Sequence, residues 1–156
     1  MNKEFIPYEQ ALALKELGFD EPCFAYFVDG ELRGINLGIE ELGGKEPYYQ
    51  RFGFHTLSNH DIDNQNKIVS TAPLYQQAFR WFRKVYGLKH DIQDDRKGEK
   101  FYYAITSYTP KFDQYDDVLF HIRKEVDWHE IEFKSYEEAE LACLNKLIEI
   151  VKNKTL

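Results

Sequence analysis

Cysteine is scarce in this chain: two residues among 156, Cys23 and Cys143, with no CxxC pair and no Cys/His zinc spacing. That excludes a disulfide scaffold and a zinc ribbon, and leaves two reduced, buried thiols as the expectation. Long apolar runs are missing too; none approaches the ~20 residues a membrane span needs. The first residues, MNKEFIPYEQ, carry no apolar signal-peptide core, so a cytoplasmic location is expected. Basic residues are the minority, 20 against 27 acidic, for a net charge of −7. This balance disfavours broad, unspecific binding to nucleic-acid phosphates but leaves room for a local basic patch.

The standard catalytic and nucleotide-binding signatures are absent as well. There is no Walker loop, GxGxxG, GxSxG, HExxH or EF-hand spacing. Gly43-Gly44-Lys45 lacks both the upstream glycine and the following Ser/Thr of a phosphate loop. Without repeats, low-complexity tracts or a Pro/Ser-rich linker, the chain reads as one domain over residues 1–156, and no cofactor is implied.

What is present belongs to a globular protein: 43% hydrophobic and 30% charged residues. Eleven Tyr and twelve Phe raise the aromatic share to 16%, which suits aromatic-rich strands; an aromatic binding face is the sharper alternative. Residues 135–154 spell out a helix. Ser135 is a natural N-cap, and Glu138 is placed to return to the cap's own N–H. Glu137, Glu138 and Glu140 suit the positive end of the dipole, Lys152 and Lys154 the negative end. Leu141, Leu144, Leu147, Ile148 and Val151 supply the buried stripe.

A first helix is expected over Pro7 to Leu17, stopped by Gly18, with Phe19 folding back onto its end. Cys23 to Val28 reads as a strand, Asp29-Gly30 as a hairpin turn, and Leu32 to Leu37 as the return. Residues 38–70 read mostly as loop, with a hint of strand over Tyr48 to Leu57. A second helix is expected from Pro73 to Tyr86, capped near Ser70 or Thr71, with Leu74, Ala78, Trp81, Phe82 and Val85 inward. Asp91 to Lys100 reads as a charged connection, and Asp113 to Asp117 as a polar turn. Phe101–Tyr108, Val118–Lys124 and Trp128–Phe133 read as three strands. The fold class is therefore α+β: an antiparallel sheet with helices packed on one face, its second half running helix-strand-strand-strand-helix. The first half adds a helix and a hairpin, which could extend the same sheet.

Three segments, PYEQALALKELGFDEPC (7–23), PLYQQAFRWFRKVYGL (73–88) and SYEEAELACLNKLIEIV (135–151), resemble a family of small uncharacterised proteins of bacteriophages and prophages in Bacteroidetes. The resemblance implies a phage-derived protein but transfers no chemistry. The order of elements from 73 to 151 also resembles the double-stranded-RNA-binding domain. That family grips phosphates with a lysine-rich start to its last helix. Here the equivalent residues are Ser135-Tyr136-Glu137-Glu138-Ala139-Glu140, which would repel them.

Three groups of side chains are chemically capable. Arg80, Arg83, Lys84, Lys89 and His90 form a local basic group opposite the inward stripe of the second helix, able to meet phosphates or an acidic protein surface; the ordinary alternative is a solvated face. His55, His60, Asp61 and Asp63 are the types that hold a divalent metal or act as a general base; the ordinary alternative is a capped polar turn. His121 and His129 lie on neighbouring expected strands and face each other only in some registers. The favoured function is a non-enzymatic, host-modulating factor binding a host or phage protein. The alternatives are a nucleic-acid accessory factor using the basic helix face and a metal-dependent hydrolase built on His55, His60, Asp61 and Asp63.

Overall fold

A computed structural model describes residues 2–34, 56–62, 68–95, 97–109, 114–121 and 132–154. The chain divides into two compact units, Met1–Gln77 and Ala78–Leu156. Each holds a three-stranded antiparallel sheet with helices, so the fold is α+β.

In the first unit, helix α1 (Tyr8–Glu16) follows Pro7, whose φ of −63° suits helix entry. It ends in a Schellman motif. Gly18 turns left-handed at φ +89°, its N–H reaches the Lys15 carbonyl at 3.0 Å, and the Phe19 N–H reaches the Leu14 carbonyl at 2.9 Å. Phe19 is buried against the helix end as expected. Strands β1 (Ala25–Val28) and β2 (Glu31–Gly34) form the hairpin, with Asp29 at φ +49° and Gly30 at φ +82°. Two consecutive positive φ values match the twist of the strands they join.

The hairpin does not extend the sheet of the second half. Its partner is β3 (Ile68–Thr71), giving the order β2-β1-β3. A short helical turn, α2 (Asn59–Ile62), precedes β3 inside a region that reads as loop. Ser70 and Thr71 are thus strand residues rather than helix caps; their β-branched neighbours Ile68 and Val69 favour extension. The sheet is covered on both faces. Tyr8 of α1 packs edge-on to Phe27 at 5.2 Å, while Tyr26 and Val28 on the other face join Leu57 and Ile62. Of the expected strand over Tyr48 to Leu57, only the last two residues are described; Leu57 exchanges a backbone pair with Cys23.

Helix α3 (Tyr75–Tyr86) begins two residues later than expected. Gln77 caps it: its Oε1 accepts the Leu74 N–H at 3.0 Å, and its Nε2 donates to the Pro22 carbonyl. Ala78, Phe79, Trp81 and Phe82 are buried, but Val85, expected inward, is 52% exposed.

In the second unit the meander is β4 (Leu88–Asp94), β5 (Phe101–Thr109) and β6 (Gln114–His121), in that order. It starts one strand earlier than expected. What reads as a charged connection is an edge strand followed by the turn Asp95 to Lys100. β6 takes in the expected polar turn from Gln114 on. Most of the expected strand Trp128–Phe133 lies outside the described residues, though Phe133 pairs with Phe101 beyond the end of β6.

Register puts Leu88, His90 and Ile92 opposite Ser107, Ile105 and Tyr103, on one face. Both helices pack there: Phe79 of α3 on His90, and Tyr136 of α4 (Tyr136–Lys154) against Phe101. α4 buries Ala139, Cys143, Leu144, Leu147, Ile148 and Val151, while Leu141 sits at the edge of that stripe. Ser135 caps it as expected, its Oγ accepting the Glu138 N–H at 3.2 Å. The return bond goes to the Lys134 N–H rather than to the cap residue's own.

Candidate functional site

The five basic candidates do not form one patch. Arg80, Arg83 and Lys84 project from the outer side of α3, exposed. Helical spacing puts these three cations opposite the Ala78/Trp81/Phe82 stripe, so burying that stripe forces them into solvent. Lys89 alternates with His90 along β4 and so lies on the other face of the sheet, exposed.

His90 is withdrawn from the basic group altogether. Its ring stacks on Phe79 with centroids 3.7 Å apart and planes 12° from parallel. Burial, reinforced by the Arg83 charge, lowers its pKa from 6.5 to about 4; the Asp91 carboxylate opposes this only partly. The imidazole is neutral at physiological pH and acts as an aromatic packing element between α3 and the sheet.

Of the metal candidates, His55 and Asp63 lie outside the described residues, and Asp61 contributes only its place in α2. His60 is exposed, and its backbone N–H donates to Asp20 Oδ1 at 2.7 Å. The polar side chain that organises this segment is Asn59. Its Nδ2 donates to the Phe19 carbonyl at 2.7 Å, and its Oδ1 accepts the Thr71 N–H at 3.0 Å. Among the described residues no three His, Cys, Asp or Glu gather to hold a metal ion. His121 stands opposite Ala104 at the end of β6, and His129 lies outside the described residues. Cys23 and Cys143 are both buried without a disulfide; burial pushes the Cys143 thiol well above its ordinary pKa.

One feature escaped the reading of the sequence. At the end of the second sheet an open depression of about 560 Å³ is lined by Ile92, Gln93, Asp94, Phe101 and Tyr136. Tyr136 is 46% exposed and stands edge-on to Phe101, rings 6.3 Å apart and 87° between planes. The signal in the sequence is faint: an aromatic as the first helical residue after Ser135, where a polar residue would serve the helix equally well.

Among the described residues no helix is long and apolar enough to cross a membrane. No family model, curated protein or solved structure matches the chain.

Proposed function

We propose that this chain is a phage-derived cytoplasmic protein that binds a host or phage protein and modulates it, docking an acidic partner surface on the outer side of α3. The observation that carries this reading is the company Arg80, Arg83 and Lys84 keep. Three exposed cations share one face of one helix, within a chain of net charge −7. An exposed cationic face on an acidic chain suits an acidic protein surface, reached by charge complementarity. Glu137 and Glu138, exposed in the first turn of α4, further favour a protein over a nucleic acid.

The test is capture from nuclease-treated host lysate by the tagged chain and by its Arg80→Glu/Arg83→Glu/Lys84→Glu variant. A partner retained by the parent and lost by the variant is expected. Retention indifferent to the reversal would overturn the α3 assignment. Retention of DNA or RNA in untreated lysate, lost in the variant, would replace it with the nucleic-acid reading.

A further inference from the structure

The depression at the end of the second sheet carries the opposite charge and a different surface. Several polar groups near it are engaged. Gln93 Nε2 donates to Asp91 Oδ2 at 2.7 Å. Asp95 Oδ1 accepts the backbone N–H groups of Lys97, Glu99 and Lys100. Lys100 is paired with Glu132 at 2.6 Å. Asp94 differs. It is exposed, lines the depression, and its carboxylate has no hydrogen bond or ion pair among the described residues. The half-exposed ring of Tyr136 lines the same depression and stands edge-on to Phe101. The tyrosine hydroxyl is held above its ordinary pKa by partial burial and by Glu140, Cys143 and Asp91, consistent with a negative field around it.

We propose that this depression binds the guanidinium of an arginine side chain presented by a protein partner, stacked on the Tyr136 ring and paired with the Asp94 carboxylate. An arginine fits better than a lysine. Its plane stacks on an aromatic ring while its edge forks onto a carboxylate, whereas an ammonium is a hydrated point charge. Ile92 and Phe101 supply apolar walls for the methylene stem. The site stands independently of the α3 surface: it takes a cation, and its residues belong to β4, β5 and the start of α4.

The test is an NMR titration of the full chain with N-acetyl-arginine methylamide, alongside the lysine and glutamate analogues and tetramethylammonium. Saturable shifts are expected at the Gln93 and Asp94 amides and the Tyr136 ring, in the millimolar range with arginine. Lysine and tetramethylammonium should bind more weakly, and glutamate should produce no shifts there. Asp94→Asn should weaken arginine binding by about tenfold, and Tyr136→Leu should do likewise. Unchanged amide positions elsewhere will show that each variant keeps the fold. Absence of shifts, or shifts that survive both substitutions, would overturn the proposal. Equal binding of tetramethylammonium and arginine would overturn the guanidinium assignment.

Discussion

Asn59 is 6% exposed and satisfies two backbone groups that no regular structure serves, the Phe19 carbonyl and the Thr71 N–H. It ties the end of the α1 motif to the end of β3 through one amide. Buried polar groups left without partners cost more than the bonds they replace contribute. Asn59→Ala therefore should destabilise the chain by about 2–3 kcal/mol, read as a lower denaturant midpoint at unchanged m-value. Asn59→Asp is the sharper variant. A carboxylate still accepts from Thr71 but presents an oxygen to the Phe19 carbonyl, so at neutral pH it should cost at least as much as alanine. An aspartate variant as stable as the parent would mean that the amide's donation to the Phe19 carbonyl does not stabilise the fold. None of this is legible in SNHD, where the neighbouring His and Asp are the residues of ligand type. An asparagine that clasps two distant strands of backbone leaves no periodic trace.

At the scale of elements, what was legible was what local chemistry decides. Gly18 closes α1, Asp29-Gly30 turns the hairpin, and Ser135 opens α4, because each acts on its immediate neighbours. Gly18→Ala places a Cβ in open space, with no atom within 4 Å, so its cost is the left-handed backbone alone. That is about 1 kcal/mol, and Ser135→Ala should cost a similar amount through the lost cap. Thermal unfolding of the two variants checks both, and near-additivity is expected for such distant sites. The misread elements share another cause. β4 alternates Leu88, His90 and Ile92 with Lys89, Asp91 and Gln93, a period of two masked by the charges of an edge strand. A histidine counted as charged hid the inward face, although in the fold it is neutral and stacked. β3 is four residues long, and its Ser70 and Thr71 look like helix caps in sequence. The α3 site was half legible: spacing separated Arg80, Arg83 and Lys84 from the core. Only register could put Lys89 and His90 on opposite faces.

For the whole molecule, the buried titratable groups set the pH range over which the fold is most stable. His90 titrates near 6.5 when unfolded and near 4 when folded. Between those values the unfolded chain binds more protons, so stability is full above pH 6.5 and is lost as pH falls toward 4. The ring is partly exposed, which reduces the expected loss to about 2 kcal/mol. Asp95, held below its ordinary 3.8 chiefly by the Glu99 backbone N–H, adds loss in the same direction at still lower pH. The alkaline limb has the opposite origin. Burial raises Cys143 and Tyr103 above their ordinary 9.0 and 10.0, so the unfolded chain ionises first and stability falls as pH climbs past 9. A denaturation midpoint measured against pH should show a plateau between these limbs. His90→Phe keeps an aromatic partner for Phe79 while removing the titration, so it should flatten the acid limb between pH 6.5 and 4 and leave the alkaline limb untouched. A parent curve already flat over that interval would mean the imidazole is solvated, and that α3 does not cover it.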